Sequence, residues 1–228
     1  MKNLVIIPAY NEMESILTTV RDVQKNASGF DYIIINDGST DKTGDLCRDN
    51  HLKVLNLPIN LGIGGAVQTG YAYACRNGYE IAVQVDGDGQ HDALFLNTML
   101  DKMKEENLDI VIGSRFIKKE GFQSSGIRRI GIRYFTSLIR LLTGETITDP
   151  TSGLRMVNRD VLEMFAEDYP KDYPEPESIV FALKKGKRVR EIPVTMRART
   201  GGVSSISMKK SIYYMIKVTL SILLECLR

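Results

Sequence analysis

Two carboxylates separated by one residue follow an apolar run near the middle of the sequence. The run (Ile81, Val83, Val85) has the pattern of a buried strand and leads directly into Asp86-Gly87-Asp88-Gly89-Gln90. Glycine after each carboxylate lets the backbone turn sharply. Hard carboxylate oxygens at the end of a strand suit a divalent cation whose other ligands are phosphate and water. The pattern therefore predicts a metal ion held under a nucleotide diphosphate.

Two other loop types fit these residues poorly. A calcium loop starting at Asp86 needs glycine at its sixth position and glutamate at its twelfth, where this chain has His91 and Asn97. His91 is then either an ordinary loop histidine or an additional ligand. The glycine-rich stretch 62–66 lacks the glycine at Val67 that a dinucleotide-binding loop requires. Its glycines are expected to let the backbone approach a nucleotide or a neighbouring strand.

Polar turns follow the other apolar runs as well. After the first run, Tyr10 offers a flat face for a base and Glu12 could accept hydrogen bonds from a ribose. Taken alone, this motif is better explained by a helix cap with a surface tyrosine. After the second run, the carboxylate of Asp37 could accept a base N–H, with an Asx turn as the plainer explanation. Further polar turns occupy 113–115 and 149–155.

Several charged residues could contact phosphates or move protons. Guanidinium groups suit bidentate phosphate contacts, and Arg115, Arg129 and Arg133 are candidates. Glu175 and Glu177 open a predicted helix, where stabilisation of the helix dipole is the simpler explanation. The basic segment 197–205 could close over a diphosphate.

Strands and helices alternate through the first half of the chain, which favours a mostly parallel, doubly wound α/β sheet. The pattern predicts a helix beginning at Asn11 and strands at 32–35, 53–55, 81–85 and 109–112. The second half is less regular, with helices predicted at 128–142, 174–185 and 207–227 and strands at 154–157 and 189–196. We expect one domain over residues 1–205 and a C-terminal amphipathic helix over 206–228.

Composition and charge restrict the class of protein. The 228 residues are 43% hydrophobic and 25% charged, as in a soluble globular domain. Three cysteines without metal-ligand spacing, and no signal-peptide pattern, favour a reducing cytoplasm. Residues 184–228 carry 11 Lys/Arg against 2 Asp/Glu, whereas 1–114 carry 9 against 16. The basic end indicates an anionic partner, and its apolar helix favours a membrane surface over nucleic acid.

Seven motifs in this order resemble the family 2 glycosyltransferases of the GT-A fold, most closely the branch of dolichol-phosphate mannose synthase. They are Ile7-Pro8-Ala9-Tyr10-Asn11-Glu12, Asn36-Asp37-Gly38-Ser39, Asn60-Leu61-Gly62, Asp86-Gly87-Asp88-Gly89-Gln90-His91, Gly113-Ser114-Arg115, Asp149-Pro150-Thr151-Ser152-Gly153 and Arg199-x-x-Gly202-x-Ser204. The resemblance covers roughly residues 3–205 and implies a Rossmann-like, mostly parallel sheet flanked by helices. Asn36 departs from it, since the family often has aspartate there.

The resemblance also implies roles for individual residues. The nucleotide would be bound by Pro8, Ala9, Tyr10, Glu12, Asp37, Gly62 and Asp86. Mg²⁺ or Mn²⁺ would be held by Asp86, Asp88 and Gln90. Phosphates would be contacted by Arg115, Arg129, Arg133 and Arg199. The residues expected to take part in catalysis are Asp88, Asp149, Arg115, Glu175 and Glu177.

The function expected from this resemblance is inverting transfer of a sugar from a nucleotide-sugar, with UDP favoured over GDP, to a polyprenyl phosphate. The alternative acceptor is a sugar hydroxyl, which needs a general base such as Glu175, Glu177 or Asp149. A sugar-1-phosphate nucleotidyltransferase and a non-catalytic anion-binding module fit less well. The expected location is the cytoplasmic face of the membrane, with a small membrane protein or a second copy as further partners. Core packing of the last helix is the competing explanation.

Overall fold

The computed structural model of the chain describes residues 1–118, 120–121, 126–197 and 208–227. Its centre is a seven-stranded sheet in the order β3-β2-β1-β4-β6-β5-β7. The strands are β1 (Asn3–Ala9), β2 (Phe30–Asn36), β3 (Val54–Asn56), β4 (Ile81–Gln84), β5 (Ile110–Ser114), β6 (Arg155–Val157) and β7 (Val189–Pro193). All neighbouring strands are parallel except β6, which runs antiparallel to β4 and to β5. The predicted mostly parallel α/β sheet is thus confirmed.

Helices cover both faces of the sheet. They are α1 (Ile16–Asn26), α2 (Thr43–Asp49), α3 (Gly62–Arg76), α4 (Phe95–Glu105), α5 (Gly126–Thr143), α6 (Arg159–Glu167), α7 (Pro174–Lys184) and α8 (Met208–Leu227). Side chains alternate along a strand, so β1 sends Leu4 and Ile6 into one core and Val5 and Ile7 into the other. The first core is closed by α3 and α5–α8, and the second by α1, α2 and α4.

The helix predicted to begin at Asn11 begins five residues later, at Ile16. Asn11 has a φ of +57°, a left-handed conformation in which a helix cannot start. Its side-chain Oδ1 accepts hydrogen bonds from the backbone N–H groups of Thr40 at 2.8 Å and Asp41 at 3.3 Å. The residue therefore joins the loops after β1 and β2, and the predicted helix start at Asn11 is wrong.

A second difference is α6, which the sequence pattern did not predict. Asn158 caps this helix, because its side-chain oxygen accepts the Val161 N–H at 3.1 Å. The helix buries Val161, Leu162 and Phe165 in the first core. The helix is only nine residues long and directly follows the short strand β6. Its apolar pattern is therefore difficult to separate from that of the strand.

The final helix has one buried and one exposed face. Val218 and Ile222 lie in the first core, where each contributes about 1.5–3 kcal/mol by burial. Other apolar side chains of this helix are exposed, namely Tyr213, Ile216, Leu220, Leu223 and Leu224. Within the described ranges, no helix is long and apolar enough to cross a membrane.

Candidate functional site

Three strand ends meet at one edge of the sheet. Gly87 N–H donates to Pro8 O at 3.2 Å, and Asp37 N–H donates to Ala9 O at 2.9 Å. These bonds bring the turns after β1, β2 and β4 together. The chain places β2 and β3 on one side of β1 and then β4 on the other side. Open α/β sheets bind ligands at the carboxyl ends of the strands where the order changes in this way.

Asp86 is held through its side chain and through its backbone. Gln84 Nε2 donates to Asp86 Oδ1 at 2.8 Å, while the Asp86 N–H donates to Nδ1 of the buried His91 at 3.0 Å. Nδ1 is therefore an acceptor, and the proton of a neutral imidazole lies on Nε2, 3.7 Å from Asp86 Oδ2. The side chain of Asp86 is still 35% exposed. Its oxygens are oriented but accessible to a ligand.

Close approach by a neighbouring turn requires glycine at position 153. A Cβ on Gly153 would lie 2.9 Å from Asp86 Oδ2 and 3.0 Å from Gln84 Nε2. The turn before β6 therefore forms one wall of the space around this carboxylate. Because β6 is antiparallel, its amino end lies beside the carboxyl ends of β4 and β5.

The second carboxylate is set by its own turn. Asp88 Oδ1 accepts the Gln90 N–H at 3.0 Å, and Gly89 between them has a φ of +75°. Thr19 Oγ1 of α1 donates to Gly87 O at 3.2 Å, which fixes the turn to the helix. Asp86, Asp88 and Gln90 thus share one turn, as predicted from the sequence.

The donor set suits a hard divalent cation only in part. Among the described side chains, no group of three or more His, Cys, Asp or Glu is placed to hold a metal ion. Two carboxylates and an amide oxygen on one turn are nevertheless the ligands that Mg²⁺ or Mn²⁺ prefers when phosphate and water complete its shell. The exposed, pre-oriented Asp86 fits such a shared site.

Among the residues predicted to bind a nucleotide, Asp37 is buried and partly engaged. Its Oδ1 accepts the Leu61 N–H at 2.7 Å. Burial raises the pKa of this carboxyl, and backbone N–H groups of Leu61 and Gly62 oppose the rise. Gly62 opens α3 with a φ of +78° and lies directly beside this contact. The carboxylate therefore fixes the start of α3 as well as facing the edge.

The remaining predicted nucleotide contacts border the same edge. Pro8 and Ala9 are buried in β1, whereas Tyr10 is 47% exposed. Glu12 is half-buried, and its Oε2 accepts a hydrogen bond from Ser15 Oγ at 2.8 Å. The exposed ring of Tyr10 is available for stacking, while Glu12 also stabilises the start of α1.

Arg115 and Asp149 form a bidentate ion pair. Arg115 Nε and Nη2 each donate to one oxygen of Asp149 at 2.6 Å, and the Arg115 N–H adds a bond of 3.1 Å to Oδ2. Asp149 is fully buried and Arg115 nearly so. Both oxygens of the Asp149 carboxylate are therefore occupied by N–H donors of Arg115. The role of Asp149 as a general base for a hydroxyl acceptor stays a prediction.

A half-buried carboxylate, that of Glu191 on β7, supports the turn behind that pair. The two oxygens of Glu191, on β7, accept the N–H groups of Thr148 at 2.7 Å and Asp149 at 2.8 Å. Burial raises the pKa of Glu191, and these two N–H groups oppose the rise. The contact fixes the turn that carries Asp149.

Glu175 lies in the first turn of α7, near the acidic edge. Burial is the main cause that raises the pKa of this carboxyl, the negative charge of Asp86 raises it further, and Arg155 lowers it. The Arg155 side chain is buried and donates to Ser152 O at 2.9 Å, Pro150 O at 3.0 Å and Ser178 Oγ at 2.7 Å. Glu177 is half-buried in the same turn.

The other predicted phosphate ligands are less defined. Arg129 and Arg133 are exposed on α5. Arg199 lies outside the described residues. The structure thus brings Asp37, Asp86, Asp88, Arg115 and Glu175 to one edge, and places the two helical arginines on a neighbouring surface.

Sequence reasoning assigned no role to several supporting residues: Gln84, Gly153, Arg155 and Glu191. Gly153 and Arg155 lie within a motif that was singled out, so a signal was present for both. Gln84 and Glu191 sit inside strands, and only tertiary contacts reveal what they hold.

Comparison with known sequences gives a consistent set of relatives. The profile of "Glycosyl transferase family 2" matches residues 4–165. The undecaprenyl-phosphate mannosyltransferase of Micrococcus luteus is 32% identical over 91% of this chain and 88% of its own length. The polyprenol monophosphomannose synthase of Mycolicibacterium smegmatis is 31% identical over 90% and 81%. A UDP-N-acetylglucosamine–dolichyl-phosphate N-acetylglucosaminyltransferase of Methanococcus voltae is 29% identical over 83% of each chain.

Comparison with solved structures supports the fold. Glucosyl-3-phosphoglycerate synthase from Mycobacterium tuberculosis, solved with Mn²⁺, UDP and glucosyl-3-phosphoglycerate, superposes with a TM-score of 0.76. The match covers 99% of this chain and 80% of that one at 19% identity. The same enzyme has also been solved with Mg²⁺ and UDP. At this identity, the likeness concerns the architecture alone.

Proposed function

The chain belongs to glycosyl transferase family 2 and is a glycosyltransferase, and from this premise we propose that it transfers a sugar from a nucleotide-sugar to a polyprenyl phosphate. A UDP-sugar is the favoured donor, and GDP-mannose is the alternative donor. The acceptor is proposed from the names of three relatives, each of which acts on a lipid-linked phosphate.

The observation that carries the proposal is the oriented, accessible Asp86 carboxylate where β1, β2 and β4 end together. Asp86, Asp88 and Gln90 would hold Mg²⁺ or Mn²⁺, and Tyr10, Glu12 and Asp37 would bind the nucleoside. A bound divalent cation would neutralise charge on the leaving nucleoside diphosphate. The residues of this edge would orient the donor with its anomeric carbon facing the acceptor.

In the proposed reaction, an oxygen of the acceptor phosphate forms a bond to the anomeric carbon. The bond from that carbon to the nucleoside diphosphate breaks, and the configuration inverts. An acceptor phosphate is already ionised at neutral pH, so no strong general base is needed. Arg129, Arg133 and Arg199 are the proposed partners of the acceptor phosphate. Arg115, held by Asp149, places a further positive charge beside the edge.

The charge and shape of the C-terminal part support a location at the inner membrane face. The exposed apolar side of α8 adjoins α5, since Tyr134 Oη and Thr219 Oγ1 lie 3.1 Å apart. Arg129 and Arg133 are exposed on the same α5. An apolar surface flanked by basic side chains suits an anionic lipid surface.

The proposal is tested by transfer from a panel of UDP- and GDP-sugars to a short polyprenyl phosphate, with and without Mn²⁺. We expect turnover that requires the ion and falls at least a hundredfold in Asp88→Asn. Asp101→Asn, which changes an exposed carboxylate on α4, is the matched control. Turnover of Asp88→Asn at the wild-type rate would contradict the proposed cation site.

A sugar hydroxyl is the second candidate acceptor, and Glu175 is the observation that favours it. A carboxyl group with a raised pKa, close to Asp86, has the property expected of a general base. Transfer to a hydroxyl should fall by a factor of about 10²–10⁴ in Glu175→Gln. Transfer to a phosphate should be nearly unchanged in Glu175→Gln and in Glu177→Gln. Glu105→Gln, at an exposed residue of α4, is the control. Intact turnover in both variants would exclude the hydroxyl acceptor.

A further inference from the structure

A single arginine connects α1, the acidic turn and the segment after β7. The guanidinium group of Arg197 contacts Asp22 Oδ2 of α1 at 3.1 Å and Asp92 Oδ1 at 2.8 Å. The two carboxylates are 14% and 18% exposed, whereas the Arg197 side chain is 41% exposed. A planar guanidinium group can bridge two carboxylates, which a lysine ammonium on a flexible chain does less well.

The main chain at Arg197 adds a second connection. Arg197 N–H donates to Gln90 O at 2.9 Å, and Gln90 Nε2 lies 3.4 Å from Arg197 O. Asp22 Oδ2 also accepts the Ala93 N–H at 3.0 Å. The second half of the acidic turn is therefore tied both to Arg197 and to α1.

This arrangement bears on the oxygen atoms that a cation would need. An amide has one donor end and one acceptor end, and the donor end of Gln90 is directed at the Arg197 carbonyl. The Oε1 of Gln90 is consequently directed away from that carbonyl. A hard cation binds an amide group through its oxygen. The Gln90 N–H meanwhile fixes Asp88 Oδ1.

We propose that Arg197 is a positioning residue, whose bridge between Asp22 and Asp92 holds the turn 88–93 so that Asp88 and Gln90 present oxygen to a divalent cation. The inference rests on the proposed function and extends it to a residue outside the cation site. Arg197 touches neither the cation nor the donor in this account.

If Arg197 acted through its charge alone, its removal would strengthen Mn²⁺ binding. Removing the positive charge of Arg197 leaves two carboxylates near the site, which would attract a cation more strongly, although salt screens charges beyond about 8 Å at physiological ionic strength. A positioning role instead predicts weaker binding. The direction of the change in Mn²⁺ affinity therefore separates the two roles.

The experiment measures Mn²⁺ binding to the full chain by isothermal titration calorimetry, with and without UDP. We expect the Kd for Mn²⁺ to rise about tenfold or more in Arg197→Gln, the effect typical of residues that orient metal ligands. The double variant Asp22→Asn/Arg197→Gln, which keeps the net charge, should show the same rise. Arg197→Lys should recover part of the affinity. Melting temperatures measured in parallel show that each variant is folded.

The control is Arg190→Gln, because the exposed Arg190 pairs with Glu145 at 3.7 Å and lies on β7 away from the turn. It should bind Mn²⁺ as the wild type does. Unchanged or tighter Mn²⁺ binding in folded Arg197→Gln would overturn the positioning role of Arg197 but not the proposed cation site. Equal Mn²⁺ binding by wild type and Asp88→Asn would instead show that the proposed cation site itself is wrong, and the inference would fail with it.

Discussion

The guanidinium group of Arg115 is engaged by the buried carboxylate of Asp149. Asp149 accepts three hydrogen bonds from Arg115, and Thr151 Oγ1 accepts a fourth at 2.9 Å. The resemblance implied a phosphate contact at this position. The contacts indicate that Arg115 first compensates a buried charge, and that any phosphate contact would be added to this one.

Removal of that compensation should cost stability. We expect Arg115→Gln to lower the free energy of unfolding by about 3–5 kcal/mol, because Asp149 is left buried without its charge partner. Arg48→Gln, which breaks an exposed pair with Asp45, should cost about 1 kcal/mol or less. Urea denaturation of both variants measures the difference. Equal losses would show that burial of the Arg115–Asp149 pair has no energetic weight.

At the scale of elements, the local sequence pattern predicted the strands and turns whose formation depends on neighbouring residues. The apolar runs of β1, β2 and β4 and the polar turns after them were placed within a few residues. The start of α1 was misplaced because the Asn11 side chain binds residues almost 30 positions away. The contacts of Gly153 with Asp86 and of Glu191 with the turn before Asp149 are likewise non-local, and no spacing in the sequence announces them.

The contribution of Glu191 to the free energy of unfolding depends on pH. Its carboxylate binds the backbone of the turn that carries Asp149. Its pKa is raised in the folded state, so the folded protein binds the proton more tightly than the unfolded chain. Stability contributed by this group is therefore present below its ordinary pKa and lost as pH rises through the raised value.

We expect Glu191→Gln to remove this dependence. The variant loses one of two backbone hydrogen bonds, at a cost of about 1–3 kcal/mol. The stability advantage of the wild type should be largest near pH 4 and should narrow as pH rises. Urea denaturation of both proteins between pH 4 and pH 8 measures this difference. A difference that widens with pH would contradict the raised pKa.

For the whole molecule, charge and apolar surface are unevenly distributed. The first half of the chain is acidic and contains the turn proposed to bind the cation, while the last 45 residues carry 11 Lys/Arg against 2 Asp/Glu. The exposed apolar residues of α8 lie in this basic part. The domain expected at 1–205 and the helix expected at 206–228 are connected through the buried Val218 and Ile222.

Membrane association should depend on the exposed face of α8 and not on exposed apolar residues in general. We expect Leu220→Glu to reduce flotation with phosphatidylcholine–phosphatidylglycerol vesicles severalfold, because a carboxylate replaces an apolar side chain that is 55% exposed. Leu94→Glu, at a residue 60% exposed near the acidic turn, is the matched control. Higher salt should weaken the binding of all three proteins. Flotation of Leu220→Glu at the wild-type level would exclude α8 as the contact.

The antiparallel direction of β6 has a consequence for how such an enzyme could be altered. The chain leaves the ligand edge at the end of β5 and returns to that same edge at the start of β6. The intervening stretch, which includes α5, thus forms an insertion whose two ends lie side by side at this edge of the sheet. Exchanging it between homologues would leave the strand order of the sheet intact. Under the proposed function, we expect such an exchange to change acceptor preference and to leave donor preference unchanged.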